Sequence, residues 1–132
     1  MRRPRVKREG QWTEIPAANR AIVSRAHCSI CGLRYGVLAE VDNCLIVPKQ
    51  IIHHFLSRRF LESRGIAEIH HAWNLFSMCS RCHGRTIVPE DRLFRGDVFG
   101  FLQSARQIGL PIDRIVRFAL RVGLTEFGGF QL

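Results

Sequence analysis

The chain has 132 residues, 46 % of them apolar and 23 % charged, which is typical of a single domain with a buried core and excludes global disorder. Lys and Arg number 20 against 11 for Asp and Glu, a formal net charge of +9. This excess indicates an anionic partner, either nucleic acid or a membrane surface. No apolar run reaches the ~18 residues of a membrane span, so membrane-spanning and secreted classes fit poorly.

The first half of the chain is predicted to hold a basic arm, a helix, a hairpin and a strand. Residues 1–15 form the arm, which we expect to be flexible. A short helix is predicted over residues 16–25, with Pro16 at its start. Residues 35–47 are rich in aliphatic side chains and are interrupted at Asp42-Asn43, a pattern typical of a hairpin.

Further along, a strand is predicted over residues 51–54, a helix over 55–65 and a strand over 74–78, followed by a helix from about Ser80. Two more helices are predicted in the tail. Asp97 can cap the first, which ends at Gly109, and the second extends from Pro111 to Gly123. Residues 16–90 are thus expected to form the core, and residues 91–132 a helical extension packed on it.

Four of the five cysteines form two pairs, Cys28-x-x-Cys31 and Cys79-x-x-Cys82. Two such pairs predict a tetrahedral zinc site rather than a disulfide framework. Four thiolates leave no open position for water, so we expect this zinc to be structural. Free thiolates persist in a reducing compartment, which predicts a cytoplasmic protein. Cys44 is left over and is expected to be a small buried apolar residue.

Histidines and an asparagine accompany the cysteines in four segments: Cys28-x-x-Cys31, His53-His54, Trp73-Asn74-Leu75 and Met78-Cys79-Ser80-Arg81-Cys82-His83-Gly84-Arg85-Thr86. In these segments the sequence resembles the HNH endonucleases of the His-Me finger, or ββα-metal, group. The resemblance covers residues 28–86 and is most specific over residues 74–86.

The resemblance implies an α+β fold: a small ββα-metal core, held by the four-cysteine zinc site and flanked by N- and C-terminal helices. His53 and His83 occupy the positions that hold one catalytic divalent ion in this family. His54 corresponds to the catalytic histidine. Asn74 corresponds to the central asparagine, whose amide steadies the loop that carries the base.

These residue types suit the hydrolysis of a phosphodiester bond. A neutral imidazole accepts the proton of the attacking water near physiological pH. A divalent ion stabilises the negative charge that grows on the phosphate oxygens. Imidazole ligands favour Mn²⁺, Ni²⁺ or Zn²⁺ over Mg²⁺, although Mg²⁺ stays among the candidates.

Arginines close to the implied site are the first candidates for phosphate contacts, because the guanidinium fork matches phosphate oxygens. They are Arg58, Arg59, Arg81 and Arg85. Arg81 and Arg85 are four residues apart, so a continuous α-helix would place them on one face. The alternative for each of them is a solvated charge that keeps a small domain soluble.

Two other histidine or asparagine segments compete with this assignment. His70-His71 is a second pair, but the gap to Asn74 is too short for a loop and strand, which favours a solvated or phosphate-facing role. Val41-Asp42-Asn43 resembles the family's usual run with Asn in place of the base. If that register applies, the base is missing and the protein is a binding module.

The sequence therefore predicts a metal-dependent DNA endonuclease of HNH type. The alternative is a non-catalytic, zinc-ribbon-like module that binds DNA or a protein. Small size and basic termini also suit a phage or mobile-element nuclease that serves a larger packaging or recombination machine. A homodimer would allow two single sites to cut both strands.

Overall fold

The computed structural model describes residues 15–130, so the basic arm lies outside the described residues except for Ile15. The chain is mixed α and β. Its strands are β1 (Ala39–Val41), β2 (Cys44–Ile46), β3 (Gln50–His54) and β4 (Leu75–Cys79). Its α-helices are α1 (Ala17–Val23), α2 (Arg58–Ser63), α3 (Ser80–His83), α4 (Ile87–Phe94), α5 (Val98–Gln107) and α6 (Ile112–Arg121). Turns of 3₁₀-helix lie at Ala72–Asn74, Gly84–Thr86 and Thr125–Gly129.

The first sheet is the hairpin of β1 and β2, which confirms the hairpin predicted over residues 35–47. Asp42 and Asn43 form its two-residue turn with φ angles of 51° and 65°, the left-handed conformation that tight hairpins require. The expectation that Cys44 is buried is wrong, because its thiol is exposed. Cys44 opens β2 in a sheet of only two strands, where most side chains stay open to solvent.

The second sheet pairs β3 with β4 in antiparallel register, from Gln50 opposite Cys79 to His54 opposite Leu75. Every residue of β4 is buried, so this strand lies inside the molecule. The chain between the two strands holds α2 and the 3₁₀ turn Ala72–Asn74. The strands predicted over residues 51–54 and 74–78 are confirmed with shifts of one residue.

Helix α2 begins three residues later than predicted, because Phe55 and Leu56 bend away from the end of β3 and enter the core before the helix starts. The Phe55 N–H donates to the Asn74 carbonyl at 2.9 Å, which prolongs the pairing of the strands. Both side chains are fully buried. The Ser57 hydroxyl then caps the helix by accepting a hydrogen bond from Phe60 N–H at 3.2 Å.

Strand β4 leads directly into helix α3, which the Cys79 sulfur caps by accepting a hydrogen bond from Cys82 N–H. The helical path then tightens into the 3₁₀ turn Gly84–Thr86 before α4 begins. Helix α3 ends at His83, and Arg85 lies on the 3₁₀ turn that follows, which has three residues per turn. Arg81 and Arg85 therefore do not lie on one continuous α-helix. The segment after β4 is nevertheless helical, as predicted.

The tail forms α5 and α6, as predicted. The Asp97 carboxylate caps α5 by accepting from Gly100 N–H at 2.9 Å. Side chains of these helices belong to one buried apolar cluster with β4 and with Cys28, Cys79 and Cys82. Its largest side chains include Phe55, Phe101, Phe118 and Phe127. Among residues 15–130, no helix is long and apolar enough to cross a bilayer.

Candidate metal centre and histidine site

The two cysteine pairs meet at one point, as their spacing predicts. The ligand atoms of Cys28, Cys31, Cys79 and Cys82 all lie within 4.8 Å of one another. The sulfurs of Cys31 and Cys79, 48 residues apart in sequence, are 3.8 Å apart. A tetrahedral ion with metal–sulfur bonds of about 2.3 Å places its sulfurs about 3.8 Å apart. The cluster can therefore hold a metal ion such as zinc.

Backbone N–H groups point at the sulfurs of this cluster. The Cys28 sulfur accepts from the N–H groups of Ile30 at 3.4 Å and of Cys79 at 3.3 Å, and the Cys79 sulfur accepts from Cys82 N–H at 3.4 Å. Such donors favour the thiolate, which is the form that binds metal. They connect the loop after α1 to the junction of β4 and α3.

The surroundings shift the pKa values of three thiols in the cluster, Cys28, Cys31 and Cys82. Burial alone raises the pKa of the Cys28 thiol, but N–H donors from Cys31, Cys79 and Ile30 bring it down to about 6. Burial raises the pKa of Cys31, and burial with the neighbouring sulfurs raises that of Cys82. The Cys28 thiol therefore ionises more readily than those of Cys31 and Cys82, and a divalent ion held by the sulfurs would stabilise their thiolate forms.

Asn74 is fully buried at the end of the connection between β3 and β4. Its side-chain oxygen accepts from Leu56 N–H at 2.8 Å. Its amide nitrogen donates to the carbonyls of Leu56 at 3.0 Å and Ile69 at 2.9 Å. One side chain thus fixes the backbone two residues after His54 and the backbone immediately before His70.

The His54 side chain forms a hydrogen bond with His70, from Nε2 to Nδ1, at 3.0 Å. His70 is half-buried and its own carbonyl accepts from the Asn19 amide at 2.7 Å. When His70 Nδ1 accepts the bond, His54 carries its proton on Nε2 and a lone pair on Nδ1. His70 thus contacts His54, a contact that the sequence did not predict.

The adjacent residue, His53, contacts a different histidine. Successive side chains of a strand point to opposite faces, and the His53 ring lies against His83, with ring centroids 5.1 Å apart at 74°. His53 is only 5 % exposed. Across residues 15–130, no protein group hydrogen-bonds to a ring nitrogen of His53 or His83. Buried polar groups normally have a partner, and a metal ion is a suitable one for an imidazole nitrogen.

The surroundings keep these histidines neutral. Burial, followed by the nearby His83 and His54, lowers the pKa of His53 to about 3. Burial, followed by His70 and Arg58, lowers the pKa of His54 to about 4. Burial also lowers the pKa of His83. Neutral imidazoles are the forms that bind metals and accept protons.

The four candidate arginines are spread over three elements: α2, α3 and the 3₁₀ turn Gly84–Thr86. Arg58 forms an ion pair with Glu62 at 2.9 Å on α2, and Arg59 lies over the Phe94 ring at 5.8 Å. Arg81 is 3.4 Å from the Asp42 carboxylate at the turn of the first hairpin. Arg85 is exposed on the 3₁₀ turn after His83.

The competing Asp42-Asn43 register belongs to the other sheet. Asn43 sits in the turn of β1 and β2, and that sheet does not pair with β4. The strand that pairs with β4 carries His53 and His54 instead.

Sequence reasoning missed two features of this region. His70 is 16 residues from His54, and no local pattern predicts that the intervening chain folds back to join them. Arg114 donates to the Leu75 carbonyl at 2.6 Å from α6, 39 residues away. Only the amphipathic pattern of the last helix could have indicated that α6 packs here, and that pattern does not identify the partner.

Within residues 15–130, the four cysteines are the only group of three or more His, Cys, Asp or Glu side chains close enough to share an ion. The pair His53 and His83 offers two ligands.

Comparison of the chain with protein-family models, curated proteins and solved structures gives no match. The function is therefore argued from the geometry of the site.

Proposed function

We propose that this protein is a metal-dependent DNA endonuclease of the HNH type, with a small ββα-metal core. One observation carries the proposal: the hairpin of β3 and β4 continues into α3 and brings His53 against His83. Apart from α2 and the 3₁₀ turn inserted between the two strands, the order is strand, strand, helix, with one histidine on the first strand and one on the helix. This arrangement is what the resemblance to HNH endonucleases implies.

Asn74 supports the same assignment independently of the metal. The family role of this asparagine is to steady the loop that carries the base, and here its side chain makes three hydrogen bonds to backbone around that loop. A zinc-binding module has no need of a fully buried asparagine at this place. The four-cysteine zinc site would then connect α3 to the loop that carries Cys28 and Cys31.

In the proposed reaction, His54 takes the proton of the attacking water. Its Nε2 contacts His70 Nδ1 at 3.0 Å; in the tautomer in which His54 donates this bond, its Nδ1 carries the lone pair that acts as the base. The lowered pKa keeps His54 neutral at physiological pH. Since His70 bonds one ring nitrogen of His54 and so orients its ring, we assign it as a positioning residue.

His53 and His83 would hold the catalytic divalent ion, because they are adjacent and their ring nitrogens lack protein partners among residues 15–130. The bound ion would supply positive charge to the phosphate oxygens. An all-imidazole pair favours Mn²⁺, Ni²⁺ or Zn²⁺ over Mg²⁺. Arg58, Arg59, Arg81 and Arg85 would contact the DNA backbone on either side.

The experiment that tests this function is cleavage of supercoiled plasmid by purified protein with Mg²⁺, Mn²⁺ or Ni²⁺. We expect nicked or linear products with 5′-phosphate and 3′-hydroxyl ends. The His54→Ala variant should lose about 10²- to 10⁴-fold in rate, the usual contribution of a general base, while it retains its zinc and its affinity for DNA. His27→Ala is the matched control, because His27 is exposed and lies outside both histidine pairs.

Two outcomes would contradict the proposal. No cleavage with any metal, by a protein that still holds zinc and binds DNA, would favour the zinc-ribbon-like binding module. Equal cleavage by wild type and His54→Ala would show that His54 is not the base.

A further inference from the structure

A recess lies between α1, the 3₁₀ turn Ala72–Asn74 and α6, and none of the cysteines, histidines or arginines of the proposed nuclease site lines it. It has a volume of about 390 Å³, within the size range of ligand sites. The side chains that give it its character are Ile22, Arg25, Trp73, Asp113, Arg114 and Arg117. We call this recess the Trp73 cleft.

The wall of the Trp73 cleft is apolar and partly aromatic. Trp73 is 44 % exposed and Ile22 is 62 % exposed. The Trp73 ring is held in place by His71, whose ring centroid is 5.5 Å away in an edge arrangement, and by the Arg121 guanidinium at 5.4 Å. An immobilised indole open to solvent is a platform on which another flat ring can stack.

The rim of the cleft is cationic. Arg25, Arg114 and Arg117 line it, and the only acid among its lining residues is Asp113. Asp113 forms no ion pair in the part of the chain that the structure describes. Arg25 and Arg114 are close enough for their like charges to interact, and burial followed by this repulsion lowers the pKa of Arg114. An anion between the arginines would relieve the repulsion.

We propose that the Trp73 cleft binds an unpaired nucleotide of a DNA strand, with the base stacked on Trp73 and the phosphates bound by Arg25 and Arg117. A flat apolar wall beside a rim of guanidinium groups matches the two halves of a nucleotide. The inference deepens the proposed function, on which it rests for the identity of the strand as substrate. The substrate class would be DNA with a single-stranded segment.

A duplex fits the cleft less well, because its bases are already stacked on each other and present only their edges. An acidic peptide would satisfy the arginines but would leave the exposed indole face without a matching ring. The combination of aromatic wall and cationic rim therefore favours a single strand over both.

The cleft is joined rigidly to the histidine site. Arg114 donates from α6 to the carbonyls of Ala72 at 3.3 Å and Leu75 at 2.6 Å, on either side of Asn74. Leu75 pairs with His54 across the hairpin. A strand held at Trp73 is thus held at a fixed position relative to His54.

The test uses the fluorescence of Trp73. The chain has two tryptophans, Trp12 and Trp73, so a Trp12→Phe variant reports on the cleft alone. We expect a 12-nucleotide oligo(dT) to quench its fluorescence without added divalent cation, and a blunt duplex of equal charge to quench it far less. Trp12→Phe should cleave plasmid as the wild type does.

Substitutions in the cleft then separate the stacking contact from the phosphate contact. Binding is measured by the fluorescence anisotropy of a labelled oligo(dT). Trp73→Ala should weaken binding about 5- to 100-fold, and Trp73→Phe should recover most of the affinity, since it retains a stacking ring. Arg117→Ala should weaken binding and reduce the salt dependence by about 0.7 in log–log slope, the value for one phosphate on a single strand. Arg95→Ala is the control, because Arg95 is exposed and pairs with Asp91 outside the cleft.

The proposal is overturned if oligo(dT) fails to quench Trp73, or if Trp73→Ala and Arg117→Ala bind oligo(dT) as tightly as Arg95→Ala does. Equal quenching by the duplex, or tighter binding of poly-glutamate than of oligo(dT), would also overturn it. Failure of the nuclease proposal is distinguishable from failure of this one. If the protein cuts no plasmid but still binds oligo(dT) through Trp73, the nuclease proposal is wrong and the proposed binding in the Trp73 cleft stands. If the protein cuts plasmid but does not bind oligo(dT) through Trp73, the nuclease proposal stands and the proposed binding in the Trp73 cleft is wrong.

Discussion

Asn74 shows how much of the candidate site depends on one uncharged side chain. Its three hydrogen bonds join backbone on both sides of α2, at Leu56 and Ile69. Those backbone positions lie next to His54 and His70, which bond to each other. The geometry of the histidine pair is therefore set by an amide that touches neither ring.

We expect Asn74→Ala to lower the free energy of unfolding by about 3 kcal/mol or more, because it leaves three buried backbone groups without partners. Urea denaturation followed by circular dichroism measures this loss. Asn19→Ala is the matched control, since it removes one half-buried hydrogen bond, to the His70 carbonyl, and should cost about 1 kcal/mol. Equal midpoints for the two variants would show that the Asn74 hydrogen bonds do not hold the loop.

His53 makes the stability of the fold depend on pH. Its pKa is about 3 in the folded chain, because of burial and the neighbouring His83 and His54, and about 6.5 when unfolded. Below pH 6.5 the unfolded chain binds a proton that the folded chain excludes. The free energy of unfolding therefore falls as the pH drops from about 7 to about 4, by up to about 1.4 kcal/mol per pH unit.

The measurement is the free energy of unfolding of wild type and of His53→Asn at several pH values in that window, without added divalent ion. His53→Asn cannot take up the proton, so its curve should be flatter than that of the wild type. Titrating groups that do not contact His53, including the cysteines, are common to both proteins and cancel in the difference. Parallel curves would mean that His53 already binds a proton in the folded chain.

Among the secondary-structure elements, those bounded by local capping chemistry were predicted best. Asp97 caps α5 as expected, and α6 lies between Pro111 and Gly123 as expected. The start of α2 was predicted too early, because Phe55 and Leu56 suit an amphipathic helix as well as a buried extended segment. Their burial opposite β4 decided between the two, and that pairing is not local.

Elements that meet across long stretches of chain could not be predicted from pattern alone. Cys44 was expected to be buried, but the pattern of β2 does not tell whether a second layer covers its sheet. The cysteine cluster was predicted because metal-ligand spacing carries its own information over long distances. His70 and Trp73 carry no such spacing, so their contacts with His54 and Arg121 emerged only from the folded chain.

At the scale of the whole molecule, one buried cluster includes three of the four cysteines and the C-terminal aromatic residues. Cys28, Cys79 and Cys82 belong to the same cluster as Phe118 and Phe127. The expected division into a core of residues 16–90 and an extension of residues 91–132 therefore has no break in apolar packing between its parts. A change at the metal site should reach the tail helices.

Loss of one metal ligand tests this coupling. Cys79→Ser should abolish stoichiometric zinc binding. It should also reduce the helical circular dichroism at 222 nm, because side chains of α5 and α6 belong to the same buried apolar cluster as Cys79. Zinc binding contributes about 10–16 kcal/mol in small zinc domains, whereas a whole domain is stable by about 5–15 kcal/mol, so the loss should unfold the chain. Cys44→Ser, at an exposed thiol outside the cluster, should change neither zinc content nor ellipticity. A Cys79→Ser protein without zinc that keeps the ellipticity and melting temperature of the wild type would show that the tail folds independently of the metal site.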